Sequence, residues 1–424
     1  MPVIGHAGSS PAPGIMVLTR KDYYGAFLVF LIALALRLPF ISYPPAVVFD
    51  EGVYATFASK IIFGIPFFDV HPPLASLINA GVARTSDFSY KELRDIGKDF
   101  GEFPFVRVRA LHALAGSFLA VVIYFCAKYL WEQSSYAFLA SLFVALDNAF
   151  ISYSRLILPD IWLLLFGFLG VLFVLVAEKK QSVAFLLLAG MFAGLAFSVK
   201  WSGLGFVAFG SLLLWRQKRL RFLAVFVSFA VLVYFFVFSL FFSFFAPSSV
   251  APVSYPAPLD VVGIFRYNQA MFWEHGKVPY HFHSSFPYEW VLGARPIAMW
   301  GSGGQRIDLA PNIILWGGVF LALITVIIVT FMRPRGSVSL ASDTYKLLVV
   351  GYLMNYVPFF FVARPLFLYH YFAPVLFGYL LLPAVLKQGA GIIAPNSSFQ
   401  KTLFSFFALV FLEGVMLASR TYGF

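Results

Sequence analysis

Two acidic sites lie close together in a chain otherwise poor in charge: Phe49-Asp50-Glu51 and Phe68-Asp69-Val70-His71-Pro72-Pro73. Carboxylates at this separation, with an imidazole behind them, suit proton transfer and the positioning of a polar substrate. They follow directly on the first long apolar stretch, which puts them at a membrane surface. A lone Asp-Glu pair is ordinarily a solvated loop feature. Two acidic sites flanking a short helical stretch, with His-Pro-Pro behind them, make a stronger candidate for chemistry.

The remaining polar residues must be placed by the elements that carry them, and composition defines those elements. Of 424 residues, 61% are hydrophobic and 12% charged, with a mean hydropathy of +0.85, which excludes a soluble globular protein. The formal charge of +11 is scattered between apolar runs, so its partner is an anionic membrane surface rather than nucleic acid. Cys126 is the single cysteine; no intrachain disulfide can form, and cysteine says nothing about compartment. Residues 1–19, rich in Pro, Gly and Ser, are expected to be disordered. The apolar run after Arg20-Lys21 has no small-residue cleavage site and is read as a retained first spanning helix.

A spanning helix needs roughly 20 mostly apolar residues. Eleven stretches qualify: 24–41, 105–130, 135–151, 157–177, 183–199, 201–215, 221–245, 311–332, 345–362, 366–386 and 402–419. If they alternate, Arg20-Lys21, Lys179-Lys180, Arg216 to Arg221, Arg333 with Arg335, and Lys387 share one side. That side is expected to be cytoplasmic, with the N-terminus inside and the C-terminus outside. The expectation is an all-α polytopic membrane protein, a single transmembrane domain over 20–424. Two long segments then face outward. In 42–104, Glu51–Gly64 reads as a helix along the interface and 74–85 as a second short helix. The segment 247–310, rich in Pro, Gly, Trp, Tyr and His, suits an interfacial lid.

Charge at membrane depth is expensive, so its side matters. Arg109 opens the second span from outside, Asp147 closes the third, and Ser154-Arg155 with Asp160 occupies the next outer turn. Lys200 caps the fifth span, and Arg364 with Tyr369-His370-Tyr371 lies at the outer turn between the ninth and tenth. All fall on the face of Asp50, Glu51, Asp69 and His71, as one outward-facing cavity requires. Plainer readings stand beside this one. Arg109, Lys200 and Arg364 are equally explained as helix-end anchors, Arg155 and Asp160 as an ion pair joining two helix ends. His71 before Pro72-Pro73 is also explained as a turn cap. His71, His281 and His283 make only a weak metal signal.

In this order along the chain, the motifs resemble a known family. Phe49-Asp50-Glu51, Phe57-Ala58-Ser59 and Phe67-Phe68-Asp69-Val70-His71-Pro72-Pro73-Leu74 resemble the first luminal loop of protein O-mannosyltransferases, which use dolichyl phosphate mannose. The likeness continues at Arg109-x₃-Ala113-x₂-Gly116, Ser154-Arg155-x-Ile157-Leu158-x-Asp160, Ser198-Val199-Lys200-Trp201-Ser202-Gly203 and Leu368-Tyr369-His370-Tyr371. The resemblance implies a GT-C glycosyltransferase fold of eleven spans. It differs in one respect: 247–310 is too short for the β-trefoil MIR domain of the eukaryotic members. The compact prokaryotic form is therefore expected, in a cell membrane with its site facing outside. Dependence on that domain, or on an obligate heterodimeric partner, is not expected.

The resemblance implies mannose transfer from a polyprenyl (dolichyl) phosphate donor to Ser/Thr hydroxyls of secreted or membrane proteins. Asp50 matches the family's catalytic carboxylate and becomes the general base, with Glu51 orienting the loop or its basic neighbours. Asp69 and His71 are assigned to the acceptor or the sugar. Arg155 and Asp160 are assigned to substrate binding, Arg109, Lys200 and Arg364 to the donor phosphate, and Tyr369 and His370 to the pocket rim. A phosphate leaving group needs little protonation but much positive charge, and no cofactor or metal is called for. Two alternatives are another polyprenyl-phosphate-sugar transferase of the same fold, such as one acting on lipid A, and a secondary transporter. The second usually shows internal repeats, and none is apparent here.

Overall fold

A computed structural model describes residues 18–277, 280–332, 343–393 and 399–424. Residues 1–17 of the expected disordered tail lie outside them. The helices are α1 (Arg20–Arg37), α2 (Glu51–Ile62), α3 (Leu74–Ala83), α4 (Phe105–Trp131), α5 (Ser134–Leu146), α6 (Asn148–Ser154), α7 (Asp160–Lys180) and α8 (Val183–Val199). They continue as α9 (Leu204–Arg216), α10 (Leu220–Phe242), α11 (Val261–His275), α12 (Pro287–Trp290), α13 (Ile313–Met332), α14 (Asp343–Tyr356), α15 (Phe372–Ile393), α16 (Phe399–Met416) and α17 (Ala418–Tyr422). Two antiparallel hairpins interrupt them: β1 (Ser249–Val250) with β2 (Val253–Ser254), and β3 (Ile297–Ser302) with β4 (Gln305–Leu309).

Each of the eleven expected stretches is helical. Among the described residues, however, only five helices are long and apolar enough to cross a membrane on their own, and α5 with α6 makes a sixth. The others, α1, α8, α9, α14 and α16, are too short or carry too many charges near their ends. The α5–α6 pair bends by 61°, and Asp147 explains the break. Its carboxylate accepts Ala149 N (3.0 Å), Asn312 N (3.1 Å), Trp316 Nε1 (2.8 Å) and Tyr379 Oη (2.7 Å). A buried carboxylate with four donors is satisfied, and here the donors tie α6 to α13 and α15.

The bundle is ordered by burial. The apolar windows of α7 and of the span that runs into α15 (Leu368–Gln388) are 83% and 89% buried, against 28% in α10, so α7 and α15 are the central helices and α10 a lipid-facing one. Small residues allow the close approach this requires: a Cβ on Gly194 of α8 would sit 2.5 Å from the Ala230 carbonyl of α10. Such contacts matter in lipid, where helices gain little from hiding apolar surface from one another. Buried Arg37 closes the other flank, donating to Ser154 Oγ (2.9 Å) and to the carbonyls of Ala33, Val144 and Ala145.

Both long segments fold back over one end of this bundle. The first holds α2 and α3, as the pattern of 51–64 and 74–85 predicts. The second holds far more order than a lid implies, with α11, α12 and the β3–β4 hairpin. Met299 O of β3 accepts Phe49 N at 3.0 Å, so this hairpin fixes the residue just before Asp50.

Candidate active site

The site begins with one carboxylate fastened and its neighbour left free. Glu51, the first residue of α2, is fully buried and accepts Arg109 Nε (2.8 Å) and Nη2 (2.7 Å) in a bidentate pair. Its oxygens also accept Ile157 N (2.9 Å) and Val48 N (3.1 Å). Arg109 is equally saturated. Its remaining donors reach the carbonyls of Ile41, Pro44 and Ala46, and its guanidinium lies over the rings of Phe100 and Phe105. The expectation that Arg109 meets the donor phosphate is therefore corrected. With no exposed surface and every donor engaged, it shapes the chain leading into the first outer loop.

Asp50 precedes α2, and its side chain makes no cap hydrogen bond. Phe49, at φ +50°, turns the chain into this position. The Asp50 carboxylate has neither a hydrogen bond nor an ion pair among the described residues, yet it lies close enough to Lys200, His281 and Asp160 to feel their charge. Burial raises its pKa above the ordinary carboxylate range, while Lys200 and His281 pull it back. A carboxylate that is more basic than usual and has no partner is equipped to take a proton.

The Asp69–His71 strap closes the opposite side. Tyr255 anchors it, bonding the backbone N–H (2.8 Å) and carbonyl of Phe67. Asp69 Oδ1 accepts His71 N at 3.0 Å, and burial pushes the carboxyl up to about 7. Burial and the nearby Lys200, His275 and Arg364 drive the His71 imidazole well below its usual pKa. His71 is therefore a neutral ring, able to donate or accept a hydrogen bond.

Cations form the floor. Lys200 Nζ pairs with Asp160 Oδ2 at 2.7 Å, both side chains nearly buried. It also lies 4.9 Å above the Tyr369 ring, while Tyr153 Oη donates to the same Asp160 oxygen. The expected Arg155–Asp160 pair does not form. Instead, Arg155 donates to the carbonyls of Arg37, Pro39 and Phe40 and stacks on Tyr422. It holds the end of α1, which corrects its assignment to substrate. Arg364 differs from all of these. It is half-buried, touches His370 Nε2 through Nη2 at 3.5 Å, and has no carboxylate partner among the described residues. Asp160, Tyr369 and His370 line one narrow crevice with Ser202 and Asn355.

Of the residues singled out from sequence, Asp50, Asp69, His71, Asp160, Lys200, Arg364, Tyr369 and His370 thus gather in one polar cluster, close enough to feel one another's charge; Glu51, Arg109 and Arg155 build the frame around it. Sequence reasoning missed three members. Tyr54 feels the charges of Asp50, Asp69 and Asp160, Tyr153 binds Asp160, and the His275 ring lies 5.2 Å from that of His71. Tyr54 was visible one helical turn after Asp50; His275 gave no motif. Of the three histidines noted in the sequence, His71 meets His275, while His281 faces His283 at 5.6 Å. No cluster of three or more metal-ligating side chains occurs among the described residues.

The family model described as dolichyl-phosphate-mannose-protein mannosyltransferase matches residues 27–251, more than half the chain. The chain belongs to this family. The model for the C-terminal four-TMM region of protein O-mannosyltransferase matches residues 262–423. Dolichyl-phosphate-mannose–protein mannosyltransferase 1 of Saccharomyces cerevisiae is 32% identical over 209 residues, 47% of this chain and 26% of the relative. Protein O-mannosyl-transferase 1 of Mus musculus is 32% identical over 161 residues, 34% of this chain and 21% of the relative. The chain thus matches about a quarter of these relatives' length.

The fold extends further than the sequence likeness. The S. cerevisiae protein O-mannosyltransferase Pmt1-Pmt2 complex bound to the sugar donor aligns with a TM-score of 0.83 at 18% identity, over 96% of this chain and 91% of that one. ArnT from Cupriavidus metallidurans bound to undecaprenyl phosphate aligns at 0.57 and 16%, over 94% and 64%. The protein is a helical, multi-pass membrane protein of the GT-C fold.

Proposed function

We propose that this protein transfers mannose from a polyprenyl phosphate mannose to Ser or Thr hydroxyls of protein acceptors, at the outer face of the membrane and with inversion at the anomeric carbon. The observation that carries this reading is the state of Asp50: a half-buried carboxylate without a partner among the described residues, in the same polar cluster, around Tyr369, as Arg364, a cation without a carboxylate partner there. The names of the curated relatives support the donor and the acceptor class.

In this mechanism Asp50 accepts the hydroxyl proton as the acceptor oxygen bonds to the anomeric carbon. The bond from that carbon to the phosphate oxygen breaks, and the phosphate leaves with the electron pair. Arg364, with Lys200 behind it, offsets the charge that develops on the phosphate; a guanidinium can hold two of its oxygens at once. Lys200 is the weaker contributor, because Asp160 already neutralises it. Asp69 and neutral His71 orient hydroxyls of the sugar or acceptor. The side chains supply the charge the leaving group needs, so transfer is expected to survive a chelator. The basic short loops support an orientation with the N-terminus and those loops inside the cell and the pocket outside.

The test is transfer by purified protein from polyprenyl phosphate [³H]mannose to a Thr-containing peptide, with and without EDTA, in parallel with a lipid acceptor. Label in the peptide, abolished in Asp50→Asn, is the expected result. Label in the lipid alone would reassign the acceptor. Undiminished transfer by Asp50→Asn would remove the base.

A further inference from the structure

Helix α11 presents an apolar face that none of the described residues covers. Leu259, just before it, and Val262, Phe265, Phe272 and Trp273 along it are 59–70% exposed. At 100° per residue, the four helix positions fall on one side. The opposite side is seated: Ile264, Tyr267 and Met271 are buried. Asn268 accepts from Tyr234 of α10, whose hydroxyl in turn accepts Trp201 Nε1 at 3.0 Å. Charge stands at the margins, with Arg266 exposed and Lys277 paired with Glu274 at 2.7 Å. An amphipathic helix with aromatic rings on its apolar face and basic residues at its edge is built to lie in a membrane interface, and an exposed apolar patch of this kind marks a contact surface.

What covers that face follows from its neighbour. Helix α10 is the spanning helix with the least burial, at 28%, and Val231, Leu232 and Phe236 form its exposed side. Helix α11 packs on α10, so the lipid-facing surface of one runs on into the apolar face of the other. We propose that α11 lies flat in the leaflet on the pocket's side, with Val262, Phe265, Phe272 and Trp273 among the acyl chains, as the membrane-side wall of the polar pocket. Its inner face carries His275 to within 5.2 Å of the His71 ring and 5.9 Å of Trp201. One helix thus touches lipid on one side and the pocket on the other. If the donor is a polyprenyl phosphate sugar, as proposed above, its headgroup enters beside α11 while its tail stays in the bilayer.

The test needs no substrate, so it stands or falls apart from the proposed reaction. Spin-labelled Phe265→Cys and Val262→Cys proteins, full-length and in phosphatidylcholine–phosphatidylglycerol vesicles, are compared by collision with oxygen and with a water-soluble nickel complex. Phe236→Cys on α10 is the lipid reference and Asp87→Cys in the first outer loop the water reference; unlabelled wild type, whose Cys126 is buried, sets the background. The expected result is loss of nickel collisions to the Phe236→Cys level with oxygen collisions retained, at either position. Nickel collisions equal to those of Asp87→Cys would place α11 in water and overturn the proposal. Loss of both kinds of collision would show that a protein surface, from a second copy or another chain, covers the face, and would equally overturn it.

Discussion

Asp50 and Glu51 are adjacent acids with opposite fates, and the difference is testable residue by residue. Asp50→Asn keeps the shape and loses the base; a general base is worth about 10²–10⁴ in rate, so transfer is expected to fall by that order while donor binding persists. The base acts only when ionised. Burial raises the Asp50 pKa, so activity should decline, as pH falls, above the usual carboxylate range near about 4. A kcat/KM profile whose acid limb lies at or below that range would contradict the assignment. Arg364→Lys keeps charge but loses the bidentate fork. The donor KM is expected to rise roughly 10–100-fold, the equivalent of about 1.5–3 kcal/mol for a charged hydrogen bond. Asp69 supplies a stability test. Its folded pKa of about 7 is raised, so its stabilising contribution is complete below the unfolded carboxylate pKa and lost as pH rises through 7. Asp69→Asn cannot ionise; its melting temperature relative to wild type should therefore climb between pH 4 and pH 8.

At the scale of elements, the first outer loop is held by the Glu51–Arg109 pair and by the fit of α2 against residue 93. Removing one partner strands a buried charge, which costs about 3–5 kcal/mol. Glu51→Gln should melt well below wild type in thermal denaturation, whereas Lys91→Ala, at an exposed pair, should not. At Gly52 a Cβ would meet the Leu93 carbonyl at 1.9 Å, so Gly52→Ala should cost about 1–3 kcal/mol as overpacking does. These elements also show what could be read in advance. The helix after Asp50, the eleven apolar stretches and the side on which the charges gather are all local patterns, and each was legible. The partner of each charge was not. Glu51 finds Arg109 58 positions later and Lys200 finds Asp160 40 positions earlier, so Arg109 and Arg155 could be assigned to the right face yet to the wrong task. His275 stayed hidden because it sits in an unremarkable amphipathic helix, and its meeting with His71 depends on how the second outer segment folds back.

At the scale of the molecule, the central α7 and α15, the Asp147 junction and the two outer segments form a frame in which the buried charges of the described residues are largely spent on structure. Asp22 holds Lys128, Arg37 and Arg155 hold backbone carbonyls, and Asp160 holds Lys200. Within the polar cluster, Arg364 is a cation with no carboxylate partner among the described residues, and this bears on turnover. In the proposed reaction the donor phosphate is a diester with one negative charge; once the sugar departs it is a monoester that carries up to two. The guanidinium that receives the donor must then grip the spent carrier more tightly than it gripped the substrate. Escape of that carrier, rather than the chemical step, is expected to limit the steady rate. Polyprenyl phosphate should accordingly inhibit competitively, more strongly at pH 8 than at pH 6, and the inhibition should weaken in Arg364→Lys. Equal inhibition across that pH range would show that the second charge is not felt.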